Sequence, residues 1–154
     1  MIFLLIPTAV FFLDYFVKSY IEKHKSPKKE ENKLGGRVVI TRMSNYGTAG
    51  GKLEHRPGLV CLMNGIALLF MGAGYIWLLF QKGQYGLKMA CGFLIGGGAS
   101  NLFDRRKKGY VTDYIKFPTA VKPIRRLVFN ISDFFIFAGS ILGVIFGMIS
   151  EFDK

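Results

Sequence analysis

The sequence predicts an all-α membrane protein: a bundle of four transmembrane helices carrying a small β-sheet appendage at the membrane surface. Three observations predict it. Hydrophobic residues make up 51% of the 154 and aromatics 15%, which is rich for a water-exposed domain of this size. Long apolar runs alternate with short, strongly basic segments, the arrangement expected of spans and their connections. One polar connection also contains a short β-branched run closed by Asn and Gly, which reads as a strand and turn.

The whole chain, 1–154, reads as a single membrane domain. The first apolar segment covers about 1–20 and is interrupted by Pro7 and Asp14. It lacks the basic n-region and small-residue cleavage site of a signal peptide, so a retained transmembrane helix is expected, with no extension before Met1. Residues 21–58 are polar and basic. They open with SPKKEENK and continue through RVVITR to NYGTAGGK, so a small surface sheet is expected there. The second span covers about 59–80, with Trp77 near one end as an interfacial anchor. A polar turn, QKGQYG, leads to a third span at about 87–103. Gly92, Gly96, Gly97, Gly98, Ala99 and Ser100 give it a small-residue face, which lets neighbouring helices approach closely. A basic connection occupies 104–128, and the fourth span covers about 130–150.

The net charge of +11 raises the question of nucleic acid. Its basic residues sit between apolar runs, beside Tyr110, Tyr114 and Phe117, a pattern that fits anionic lipid headgroups rather than a DNA-reading face. Cys61 and Cys91 lie inside apolar runs as small hydrophobes. Neither His24 nor His55 has a partner at metal-ligand spacing, so no metal or cofactor is expected.

The informative residues are acids within spans, because a charge in a membrane helix costs about 2.5–3.5 kcal/mol on insertion scales and marks a functional site by default. Asp14 has Lys18 four residues on, on the same helix face, and the pair is expected to be a structural ion pair. Asp133 falls at the start of the fourth span with no basic residue within a turn. The basic connection joins the third and fourth spans, so Asp133 shares a membrane face with Asp104 and Asp113. Two carboxylates converging in a low-dielectric site share a proton, and can act as base toward water and acid toward the scissile group. The same acids could instead pair with Arg105, Arg106, Arg125 or Arg126. Topology alone leaves both readings open.

Five segments in order resemble the signature segments of the lipoprotein signal peptidase (signal peptidase II) family. NYGTAGG at 45–51 resembles N-x-G-x-A-x-G, and GGGASNLFDR at 96–105 resembles G-G-x-x-x-N-x-x-D-R. GYVTDYIKF at 109–117 resembles G-x-V-x-D-[FY]-I-x-F, and FNISDF at 129–134 resembles F-N-x-[AS]-D. Asp14 and Lys18 fit the D-x-x-x-K of the family's first helix. The chain departs from the pattern at Gly50, where a bulky residue is common, and at Ser132, where Ala is frequent.

The resemblance implies an aspartic endopeptidase with Asp113 and Asp133 as the catalytic dyad, supported by Asn45, Gly47, Asn101, Asp104, Arg105 and Asn130. Its implied reaction is hydrolysis of a prolipoprotein on the amino side of a diacylglyceryl-modified cysteine, by water and without a cofactor. The implied setting is the bacterial cytoplasmic (inner) membrane, as a multi-pass protein, expected to be a monomer, in contact with membrane lipids and not nucleic acid. The active site and the sheet then lie near the extracytoplasmic face. That orientation places every Lys and Arg except Lys18, Lys82, Lys88 and Lys154 in outer loops, against the positive-inside tendency. The alternative is a catalytically silent or altered-client relative that binds lipidated membrane proteins. A proton-relaying transporter would need polar residues in several spans, and the second offers only Asn64.

Overall fold

The computed structural model describes residues 2–48 and 53–152; Gly50 and the rest of the 49–52 stretch lie outside them. Among the described residues, five α-helices and four short strands follow one another: α1 (Leu5–His24), β1 (Glu31–Lys33), β2 (Val38–Asn45), α2 (Pro57–Phe80), α3 (Tyr85–Lys108), β3 (Val111–Lys116), α4 (Lys122–Arg125), β4 (Val128–Phe129) and α5 (Ile131–Phe152). Among the described residues, three helical stretches are long and apolar enough to cross a membrane: Ile2–His24, Pro57–Phe80 and Ile131–Ser150. Their large side chains face outward, among them Phe16, Phe70, Trp77 and Val144, as expected where lipid rather than protein is the solvent.

α3 is the central element, packed against α1, α2 and α5. Its small residues make that possible. A Cβ added at Gly96 would come within 2.7 Å of the Pro7 carbonyl oxygen on α1, and one at Gly97 would come within 2.7 Å of the Ser132 carbonyl oxygen on α5. The helix runs past the expected end at residue 103, so Asp104 and Arg105 are helical rather than part of a connecting loop. An i,i+4 ion pair, Lys108 Nζ to Asp104 Oδ1 at 2.8 Å, supports the extra turn. Gly109 then stops it with φ +81°, a left-handed conformation that glycine adopts without strain. α1 and α2 also extend beyond the expected spans, α2 starting at Pro57, where the missing N–H is no loss.

The strands form one antiparallel sheet in the order β1-β2-β3-β4. β3 and β4 come from the segment between α3 and α5, so the sheet is held to the same end of the helices on which Asp104 and Asp133 lie.

Candidate active site

Asp113 is on β3 and Asp133 is in the first turn of α5. Asn130 brings the two together. It precedes α5 as its N-cap, and the two ends form a reciprocal capping box. The Asp133 backbone N–H donates to Asn130 Oδ1 at 3.0 Å, and the Asn130 N–H donates to Asp133 Oδ2 at 3.0 Å. Because Oδ1 is occupied as an acceptor, the Asn130 amide must present its NH2 outward, and it donates to Asp113 Oδ1 at 2.7 Å. One side chain thus caps the helix and joins both carboxylates.

Asn45 and Asn101 repeat this logic. Asn45 Oδ1 accepts the Gly47 N–H at 3.0 Å in an Asx turn, so its Nδ2 donates to Asp113 Oδ2 at 2.8 Å. Asn101 Oδ1 accepts from Lys18 Nζ at 2.7 Å, so its Nδ2 donates to Asp133 Oδ1 at 3.2 Å. Each oxygen of each carboxylate therefore accepts an N–H whose orientation is fixed from behind.

Asn45 reaches Asp113 because of a bulge. The β2–β3 ladder pairs Ile40 with Ile115 but Met43 with Asp113, so one extra β2 residue is accommodated between them. In the unshifted register Asn45 would share a face with Thr112 and point away from Asp113. After the bulge it pairs with Val111, two residues from Asp113 on the same face. Arg105 secures the turn that follows, donating from Nη2 to the Gly47 carbonyl at 2.8 Å and from Nη1 to the Asn101 carbonyl at 3.4 Å.

Asp14 and Asp104, both buried, have cations. Lys18 Nζ lies 2.6 Å from Asp14 Oδ2 and 3.4 Å from Asp104 Oδ2, and Lys108 adds a second cation at Asp104. Asp14 is saturated with donors. Its Oδ2 accepts from Ser100 Oγ and Ser132 Oγ, both at 2.6 Å, and its Oδ1 accepts from the Ser132 N–H at 3.2 Å. Asp104 Oδ2 accepts the Thr112 N–H at 3.3 Å. Asp113 and Asp133, by contrast, make no ion pair among the described residues; their partners are amides. Burial pushes the Asp113 carboxyl up to about 7, and the Asp133 charge pushes in the same direction against the pull of the Asn45 and Asn130 amides. A proton is thereby held on Asp113 at a pH where an ordinary carboxylate has lost it.

Tyr114, Ser100 and Ser132 belong to this assembly, though from the sequence they had no part in the site, and Glu22, which belongs to it too, was not singled out at all. The Ile131 N–H donates to Tyr114 Oη at 3.1 Å, tying the start of α5 to β3. Glu22 accepts from Lys108 and Thr112. Its signal was present: Asp14, Lys18 and Glu22 form one i,i+4 row on the face of α1. Among the described residues, no group of three His, Cys, Asp or Glu side chains is placed as a metal site.

A family model described as Signal peptidase (SPase) II matches residues 6–149. The chain is similar to the lipoprotein signal peptidase of Caldicellulosiruptor bescii, at 34% identity over 144 residues, which is 92% of this chain and 87% of the relative. It is also similar to that of Streptococcus agalactiae serotype V, at 29% over 130 residues, covering 84% and 80%. Two structures described as bacterial membrane enzymes, solved by the in meso method, share the fold at 21% identity. Their TM-scores are 0.82 and 0.73; the first alignment covers 99% of this chain and 90% of that one, the second 93% and 90%. With the family's model spanning nearly its full length and a relative above 30% identity along most of it, the chain belongs to the signal peptidase II family.

Proposed function

We propose that this protein removes the signal peptide from prolipoproteins, cutting on the amino side of a diacylglyceryl-modified cysteine, with Asp113 and Asp133 as its catalytic dyad. The observation that carries the assignment is the difference among the four acids of this cluster. Asp14 and Asp104 are neutralised by lysines, whereas Asp113 and Asp133 meet each other through Asn130 with amide donors alone. Structural carboxylates are paired with cations in this protein, and the reactive pair is not.

In the resting site a proton is held on Asp113, and Asp133 sits in the first turn of α5. Asp133 takes a proton from water as its oxygen attacks the scissile carbonyl, and Asp113 gives its proton to the carbonyl oxygen. As the tetrahedral intermediate collapses, the C–N bond breaks, the proton held on Asp133 passes to the departing cysteine amine, and a hydroxyl proton of the intermediate returns to Asp113. Asn45, Asn101 and Asn130 hold the two carboxylates in register throughout. Arg105, Gly47 and Asp104 act one step back, fixing the turn and helix that carry them.

In this reading the protein is a monomer of the bacterial cytoplasmic membrane with four spans, α3 joining the three apolar ones and wrapped by α1, α2 and α5. The sheet and the dyad lie at the extracytoplasmic surface. A site at membrane level suits a substrate whose lipidated cysteine stays in the bilayer. The test is cleavage of a purified diacylglyceryl-modified prolipoprotein in detergent by wild type, Asp113→Asn and Asp133→Asn. Cleavage by wild type alone, with each variant reduced by at least ~10²-fold but folded, supports the dyad. A folded wild type that leaves this substrate intact overturns the assignment.

A further inference from the structure

The chain between β3 and β4 carries a surface the peptidase chemistry does not use. Residues 121–126 are all exposed. They include two apolar side chains, Val121 at 51% and Ile124 at 42% exposure, the first at the N-cap of the short helix α4 and the second within it. Lys122, Arg125 and Arg126 flank them, and the segment 117–128 contains no acid. Three lysines at this end are neutralised: Lys116 by Glu30, Lys108 by Glu22 and Asp104, and Lys25 by Glu31. The side chains of Lys122, Arg125 and Arg126 make no ion pair or hydrogen bond among the described residues.

Position completes the argument. Arg126 is five residues before Ile131, the first residue of a membrane-capable helix, so it lies at most ~18 Å from the start of that helix. Val128 is held to Lys116 in the sheet, which keeps the segment at the same end. Unpaired cations around an exposed apolar pair, at the height where a span leaves the hydrocarbon, match a layer of lipid phosphates over acyl carbons.

We propose that residues 121–126 dock onto anionic phospholipid headgroups of the surrounding bilayer, with Lys122, Arg125 and Arg126 on the phosphates and Val121 and Ile124 seated in the interface. The surface goes beyond the peptidase reading and stands without it. Two backbone hydrogen bonds report on the segment, Arg125 N–H to the Val121 carbonyl and Leu127 N–H to the Ile124 carbonyl.

The experiment is amide hydrogen exchange of the full chain in nanodiscs of phosphatidylcholine alone, or of phosphatidylcholine and phosphatidylglycerol in equal parts. Docking is expected to slow exchange at residues 124–127 by roughly tenfold in the anionic discs. The slowing should disappear in the Lys122→Gln/Arg125→Gln/Arg126→Gln variant and at high salt. Exchange in α3 should be unchanged throughout, showing that the variant is folded. Equal exchange in the two lipids, or a difference that survives in the triple variant, overturns the proposal. So does protection that appears only on adding prolipoprotein, which would assign the surface to the client. Peptidase activity enters none of these readouts, so failure here and failure of the dyad are distinguishable.

Discussion

Asp113 holds its proton because burial and Asp133 act together against two amides, and this gives the pH dependence a sign. Below about pH 7 Asp113 is the protonated partner and can donate to the carbonyl oxygen. As pH rises through that value the proton is lost, the two carboxylates confront each other, and kcat/KM falls with a slope of one proton. Removing an amide that favours the charged form must move the descending limb to higher pH. Asn45→Ala is therefore expected to shift it upward by a fraction of a unit to about one unit, measured as kcat/KM against pH on the lipidated substrate. A limb that stays in place would mean that Asn45 supports the fold rather than the acid. The pairing of Asp14 with Lys18 was legible from four-residue spacing alone. The face of Asn45 was not, because period-two reasoning assumes an unbroken ladder and the bulge between Ile40 and Met43 changes the parity.

At the scale of elements, the separation of α3 from α5 sets where Asp133 stands. Gly97 has the Ser132 carbonyl against it, one residue before Asp133, and a backbone atom cannot swing aside as a side-chain end can. Gly97→Ala is expected to lower stability by about 1–3 kcal/mol and to reduce kcat more than it raises KM. Thermal unfolding and steady-state kinetics in detergent check the two parts. Gly147, which meets nothing within 4 Å, supplies the control: Gly147→Ala should change neither. The glycine-rich face was readable as a packing surface, yet the sequence placed the helix end too early. An Asp-Arg-Arg-Lys-Lys run looks like a loop until Asp104 and Lys108 are seen to pair along one face. α4 was not foreseen, being too short to carry a period.

The molecule as a whole is held by one cation. Lys18 contacts Asp14, Asn101 and Asp104, and Asp14 in turn accepts from Ser100 and Ser132, so α1 and α3 meet at a single ammonium group and α5 joins them through Asp14. Tyr114 extends the cluster from β3 to the first residue of α5. Lys18→Met would leave two buried acids facing each other and is expected to cost about 3–5 kcal/mol, read as a large drop in melting temperature. The same variant frees the Asn101 amide to flip, so activity remaining at low temperature should be impaired beyond the loss of folded protein. Overall architecture was accessible from apolar runs and basic connections because bilayers impose length and composition on every span. The meeting of three helices at Lys18 and Asp14 was not, since residues 14, 18, 100, 104 and 132 come together only when the helices are packed.

The three oriented asparagines also give the protein a chemical lifetime. Side-chain amides are among the thermolabile groups of proteins, and hydrolysis of any one of Asn45, Asn101 or Asn130 would exchange an N–H donor for a further carboxylate. The arrangement that keeps a single proton between two acids would then have to accommodate three. Each of these asparagines precedes a bulky residue, Tyr46, Leu102 or Ile131, which hinders attack on the amide by the following backbone nitrogen. Ageing of the folded enzyme is thus a loss of ammonia from its interior, with the helices still in place.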